Sequence, residues 1–136
     1  MNDLHARSVF FVKDAHGSLR FYTQRLGFTV DWSHEEDGRA LVSQVSLFGF
    51  QLILNQVEPG GAARAGCGRV FIGLEPGQAD EFRRHLLVRS IEPQVVRWGE
   101  PTLVIKDLDE NELFIWLPDA ERRGLEPRLA STARTE

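Results

Sequence analysis

Apolar positions along this chain switch between two periods, and the switches mark its elements. "RSVFFVKD" is rich in Phe and Val and predicts a strand over Ser8–Val12. A helical period follows. Leu19, Tyr22 (with Phe21) and Leu26 recur at helical spacing, Asp14 suits an N-cap, and Gly27 suits the residue after the helix. "FTVDW" returns to strand, "HEEDGR" predicts a charged, solvated turn, and "ALVSQVSLF" and "FQLILNQ" predict two strands hinged at Gly49. The order so far is βαβββ.

Val57 to Gly68, "VEPGGAARAGCG", has no period and predicts a flexible linker. The pattern then restarts. "GRVFIGLE" predicts a strand, and "QADEFRRHLLVR" a helix with Phe82, Leu86 and Leu87 on its apolar side. "PQVVRW", "TLVIKD" and "ELFIWLP" predict three further strands. Setting Arg7–Val12 over Arg69–Leu74 gives an offset of 62 residues, from Arg7 to Arg69. The chain is therefore read as an internal repeat. A four-stranded module of this size cannot bury both faces by itself, so two must associate. The predicted class is α+β, with tandem βαβββ modules 7–56 and 69–118 joined by the linker 57–68 in one domain, 1–118. Residues 119–136 read as a polar, loose tail.

The last predicted strand breaks the expected alternation. Leu113-Phe114-Ile115-Trp116 is apolar on both faces, directly after the polar turn "DLDEN". Alternation puts Glu112, Phe114 and Trp116 on one face and Leu113, Ile115 and Leu117 on the other. Either both faces are covered by protein, or one lines an apolar cavity.

Charge and composition narrow the function. The net charge is −4 and no basic stripe is visible, which argues against a nucleic-acid surface. No apolar run reaches membrane-spanning length and no segment resembles a signal peptide, so a cytoplasmic protein without membrane contact is expected. The one cysteine, Cys67, has no partner for an internal disulfide and lies in the Gly-rich linker, so a catalytic thiolate is not expected. The serines have no paired His and acid at readable spacing, and "EPGGAARAGCG" lacks the Lys-Ser/Thr end of a phosphate loop.

The tandem repeat, with "VKD…SLRFYTQRLGF" and "WG…DLDENEL", resembles the vicinal oxygen chelate superfamily. That superfamily holds glyoxalase I, extradiol dioxygenases, fosfomycin resistance enzymes and bleomycin resistance proteins. The likeness runs from Arg7 to Pro118. It implies a curved mixed sheet with a concave cavity. "DLDEN" stands where the family has "DPDGN", with Leu108 in the place of Pro and Glu110 in the place of Gly.

Enzymes of the superfamily hold a divalent metal with His and Glu side chains on the inner strand faces. The matching places here are Arg7, Ile53, Arg69 and Phe114. None of these side chains offers a lone pair to a cation. The pattern therefore resembles the metal-free, ligand-binding branch, with no cofactor and no catalytic residue. Ligand-binding candidates are Arg7, Phe11, Ile53, Arg69, Phe71, Trp98, Glu112, Phe114 and Trp116, with Trp32 a weaker one; Val9, Gln51 and Asn55 share the same face by alternation. Aromatics with a few polar groups suit an aromatic or glycopeptide-like organic ligand, such as an antibiotic. Trp98, at the "WG" position, borders the ligand groove in bleomycin-resistance relatives. The arginines would pair with Glu112 or grip an anionic ligand. A displaced metal site using His5 and Glu112, in a lyase or dioxygenase, is the alternative. A partner-binding protein is a second one. The family pairs modules between chains, which implies a homodimer, with strand exchange open.

Overall fold

The computed structural model describes residues 4–132. The chain forms two compact units. One comprises the chain up to Gly68 together with Asp107–Asn111; the other comprises Arg69–Lys106 and the chain from Glu112 onward.

In the first unit, β1 (Ser8–Val12), β2 (Thr29–Glu36), β3 (Arg39–Leu47) and β4 (Phe50–Gln56) form a sheet in the order β1-β4-β3-β2. β1 runs parallel to β4, with Val9 opposite Ile53 and Phe11 opposite Asn55; the other pairs are antiparallel. Helix α1 (Ala15–Arg20) packs on β3 and β4. Phe10, Val12, Val45, Leu52 and Leu54 are almost completely buried and form the core of this unit with Tyr22. Full burial of a side chain of this size contributes about 1.5–3 kcal/mol.

The second unit repeats the plan. β5 (Arg69–Gly73), β6 (Gln94–Trp98), β7 (Glu100–Lys106) and β8 (Glu112–Trp116) stand in the order β5-β8-β7-β6. β5 runs parallel to β8, with Arg69 opposite Glu112 and Phe71 opposite Phe114. Val95, Leu103, Leu113, Ile115 and Leu117 are buried, and α2 (Ala79–Val88) adds Ala79, Phe82 and Leu86 to the buried residues. Among the described residues no helix is long and apolar enough to cross a membrane.

Several local expectations change. Asp14 does cap α1, accepting from the His16 N–H at 3.2 Å. The helix does not continue regularly to Leu26; Phe21–Arg25 widens into a π-helical turn, in which Leu26 N–H donates to Phe21 O. Gly27 then takes a positive φ of 84°. His34, Glu35 and Glu36 are strand, not turn, and the chain reverses at Asp37-Gly38, both at positive φ. β2 is an edge strand of the sheet, bonded along its backbone to β3, and its residues are exposed. Leu87 is exposed at the end of α2 instead of completing its apolar side.

The segment expected to be a flexible linker is pinned. Val57 N–H donates to Val12 O, Gly66 N–H to Phe11 O, and Ala62–Arg64 forms a 3₁₀ turn. Gly66 has φ +83°, and a Cβ there would collide with the Asp109 carbonyl oxygen. The tail is also ordered: α3 (Asp119–Arg123) and α4 (Glu126–Thr132) follow β8, α4 packs on β6, and Leu129 is buried. Residues 133–136 of that tail lie outside the described residues.

Candidate functional site

The face of the second sheet that carries the odd apolar residues of β8 is an aromatic cluster. Strand pairing sets Glu112, Phe114 and Trp116 beside Arg69, Phe71 and Gly73 of β5. Trp98, at the end of β6, reaches the same group. Its ring centre lies 5.1 Å from that of Phe114, 5.6 Å from Phe71 and 6.5 Å from Trp116. Phe71 meets Trp116 edge-on at 5.1 Å. Edge-to-face contacts at this spacing are worth about 0.5–1.5 kcal/mol each beyond the area they bury. Exposure is uneven: Phe114 is buried beneath, while Phe71 and Trp98 keep 47% and 40% of their surface open. This explains the broken alternation of Leu113–Trp116. One side of β8 belongs to the core, and the other is the base of the aromatic cluster.

Arg69 lies over this base. Its guanidinium carbon is 4.0 Å from the Phe114 ring centre and 5.9 Å from that of Trp98. Nε and Nη2 each donate to Glu112 Oε1 at 2.9 Å. Two of the four places that resemblance associates with metal ligation, Arg69 and Phe114, are thus stacked on each other. Glu112, needed for a displaced metal site, is engaged by a guanidinium. Among the described residues, no three His, Cys, Asp or Glu side chains are grouped as metal ligands.

Two residues that sequence reasoning missed fix Trp116. Its Nε1–H donates to Thr102 Oγ1 at 2.9 Å, and the Arg122 guanidinium carbon lies 4.5 Å from its ring centre. Arg122 is itself held by Glu100, Asp119 and the Leu117 carbonyl. Trp116 and Arg122 also line a hollow of about 430 Å³ with Gly73, Leu74 and Pro76. Strand alternation could have found Thr102. Arg122 falls in the tail, where no period placed it.

The corresponding face of the first sheet has a different chemistry. Val9, Phe11, Ile53 and Asn55 share it, continued by Gln44 opposite Ile53 and Trp32 opposite Gln44. Val9 and Trp32 are exposed. Gln44 and Ser46 both donate to Asp31, at 2.9 and 3.0 Å. Arg7, expected to mirror Arg69, lies just ahead of β1 and is exposed. The arginine that covers an aromatic here is Arg64, from the 3₁₀ turn, 4.0 Å above the Phe11 ring. Arg64 pairs with Glu58 at 3.2 Å, and Glu58's own backbone N–H, then Arg64, hold its carboxyl below the usual range. A groove of about 780 Å³ at one end of this unit is lined by Lys13, Glu36, Asp37, Val42, Asn55 and Pro59, among others.

The "DLDEN" turn is a lock rather than a site. Asp107 accepts from Tyr22 Oη at 2.9 Å, from the Asp109 and Asn111 N–H groups at 2.9 Å, and from Asn111 Nδ2 at 3.1 Å. Asn111 also donates to Phe11 O and accepts from Gly68 N–H. Glu110, in the place of the family's Gly, adopts φ 78°, so the turn keeps its left-handed residue at the cost of some strain. Burial, then the Asp107 charge, raise the Tyr22 pKa well above the ordinary phenol value. Burial also raises the Asp107 pKa, against the four hydrogen bonds that favour its charged form.

Solved structures share this architecture. An antibiotic-binding protein, TnmS3, from Streptomyces sp. CB03234 is 20% identical, with a TM-score of 0.58 over 87% of this chain and 98% of that one. A bleomycin-binding protein from Streptomyces verticillus, solved with copper(II)-bleomycin, is 18% identical, with a TM-score of 0.59 over 86% and 98%. A lactoylglutathione lyase from Agrobacterium tumefaciens is 15% identical, with a TM-score of 0.56 over 88% and 98%. At these identities the likeness is one of fold. No curated protein matches the chain in sequence. The profile of one family does, over residues 5–113. With that match, the chain belongs to the glyoxalase/bleomycin resistance protein/dioxygenase superfamily.

Proposed function

We propose that this is a metal-free binding protein that sequesters a small organic molecule with a flat ring, an antibiotic being the kind of ligand in view. The observation that carries the reading is the exposed top of the aromatic cluster, Phe71 at 47% and Trp98 at 40%, over a base of Phe114, Trp116 and Arg69. Open aromatic surface costs hydration free energy and is a feature of binding faces. Two structures of the same fold are described as antibiotic-binding and bleomycin-binding proteins, which supports the class of ligand. Arg7, Ile53, Arg69 and Phe114 at the metal-ligand places support binding without a metal. The protein is further proposed to act as a homodimer in the cytoplasm, as sedimentation at tens of micromolar would test. Titration of Trp fluorescence with a library of planar antibiotics tests the function. Quenching that vanishes in Trp98→Ala is expected, and a library with no quenching member sinks the proposal.

The second reading is a metal-dependent lyase or dioxygenase with a displaced site. It draws on the lyase of the same fold and on the Glu112 carboxylate. Elemental analysis of protein purified without chelator separates the two. Close to one Zn, Ni, Mn or Fe per chain, lost in His5→Ala, would establish the second reading and overturn the first.

A further inference from the structure

The charge of the ligand can be read from the pair that covers the base of the cluster. We infer that the ligand is a flat aromatic anion, its ring against Trp98 and Phe71 and its anionic group on the guanidinium of Arg69. This rests on the binding function proposed above and adds the chemical class.

The pair is lopsided in two ways. Arg69 spends Nε and Nη2 on Glu112, both on the single oxygen Oε1, so the two N–H bonds of Nη1 lie outside the pair. The Arg69 side chain also keeps 46% of its surface open, against 23% for Glu112. A solute arriving at the face meets the cation first. An anion can take Nη1 without breaking the existing pair. An ammonium would have to reach the less exposed carboxylate past a like charge. Guanidinium is also more weakly hydrated than ammonium, so it gives up water to an anionic partner at lower cost.

Arg69 is already held in place. Phe114 supports its flat side at 4.0 Å, and Glu112 fixes its edge. Binding therefore orders little that is not ordered already, which spares the usual entropy cost of immobilising a long side chain. The guanidinium lies 5.9 Å from the Trp98 ring centre, so a ring on Trp98 and an acid group on Arg69 can belong to one small molecule. Arg97 pairs with Glu126, and Arg122, which stands 4.5 Å over the Trp116 ring, has its Nε, Nη1 and Nη2 on Glu100, the Leu117 carbonyl and Asp119. Arg69 stands over Phe114 with both N–H bonds of Nη1 outside its pair.

The test uses three probes with the same ring: naphthalene-2-carboxylate, its neutral amide, and 2-naphthylmethylammonium. Affinity is measured by calorimetry, and position by the indole N–H signals of Trp32, Trp98 and Trp116, assigned with Trp→Phe variants. The carboxylate should bind about tenfold or more tighter than the amide, the size of one charge-assisted hydrogen bond, and should move the Trp98 signal. Arg69→Gln should remove that advantage and leave amide binding within about twofold. Glu112→Gln should tighten carboxylate binding, because it removes the negative charge beside the anion while the Gln carbonyl oxygen still accepts from Arg69. The ammonium binding tightest, or the carboxylate preference surviving Arg69→Gln, overturns the inference. Should Arg69→Gln fail to fold, Glu112→Gln decides, because it leaves Arg69 in place, and unchanged or weaker carboxylate binding is then the adverse result. Equal binding of all three probes at Trp98 removes the anionic class and leaves the binding function standing. No shift at Trp98 or Trp116 with any probe removes both.

Discussion

The two units have the same strand order, the same parallel pairing of first and last strands, and different surface chemistry. On the first sheet, Gln44 and Ser46 bond to Asp31, and Phe11 sits under Arg64. On the second, Phe71, Trp98, Phe114 and Trp116 touch one another. Topology therefore does not choose the character of the face; the residues at alternate strand positions do. The first unit also takes in the hairpin tip Asp107–Asn111, with its buried bond to Tyr22 and its partly buried bonds to Phe11 and Gly68. A duplicated scaffold can thus commit one copy to directional bonds that hold the fold and leave the other to offer apolar area. Directional bonds need every partner in place, whereas apolar area degrades gradually.

The first way to break this contrast is Asp107→Ala, with the largest expected effect. It strands the Tyr22 hydroxyl and two backbone N–H groups, and leaves Asn111 Nδ2 with the Phe11 carbonyl alone. At about 1–3 kcal/mol for each unsatisfied buried group, a loss of at least about 3 kcal/mol is expected. Urea unfolding followed by Trp32, with Trp98 and Trp116 replaced by Phe in both proteins, measures it. A midpoint equal to that of the matched Asp107 protein would show that the tip is not a lock.

Tyr22 sharpens the same point through pH. Its folded pKa is raised, chiefly by burial and then by the Asp107 charge. The stability linked to this group is therefore fully present below the unfolded phenol value, about 10, and is lost as pH rises from there toward the folded value. Melting temperatures should fall above about pH 10. Tyr22→Phe should cost about 1 kcal/mol at neutral pH and flatten the alkaline fall. An identical alkaline slope in the variant would place the titrating group elsewhere.

The next prediction sets the two arginine-covered aromatics against the exposed ring. Trp98→Ala should weaken a confirmed ring ligand by on the order of 1 kcal/mol beyond the lost area. Arg64→Ala, which uncovers Phe11 in the first unit, should leave that affinity unchanged. Equal losses in the two variants, by calorimetry, would mean that both faces bind the ligand and that the contrast is superficial.

Much of the fold was legible. Period-two alternation located the strands, and the offset from Arg7 to Arg69 exposed the repeat. The side assignment of Glu112, Phe114 and Trp116 follows from alternation alone and agrees with Glu112 opposite Arg69 and Phe114 opposite Phe71. What was not legible depends on contacts between residues far apart in the chain. Arg64 lies in a Gly/Ala-rich stretch with no period, so nothing indicated that a 3₁₀ turn would bring it over Phe11. The helices after Pro118 are short and polar, and their order comes from bonds such as Arg97 to Glu126 and Arg122 to Glu100. Arg7 and Arg69 match in sequence, yet only Arg69 has an acid opposite it, because β8 begins with Glu112.

The smallest effect has the opposite sign. Ser18 is 1% exposed in α1, and its hydroxyl has no hydrogen-bond partner. A buried, unsatisfied hydroxyl costs about 1–3 kcal/mol relative to its hydrated state, and Ser is a weaker helix former than Ala by a few tenths of a kcal/mol, roughly. Ser18→Ala removes the polar atom and keeps the Cβ in place, leaving only a small gap where the oxygen was. The gap offsets part of the gain, so a net stabilisation of about 0.5–1 kcal/mol is expected, read as a higher urea midpoint at unchanged slope. The residue belongs to the unit whose stability rests on directional bonds, and it is the one buried side-chain oxygen among the described residues that makes none. Destabilisation by Ser18→Ala would mean that this hydroxyl does have a partner in solution, such as a buried water, and that the polar network of the first unit extends into α1.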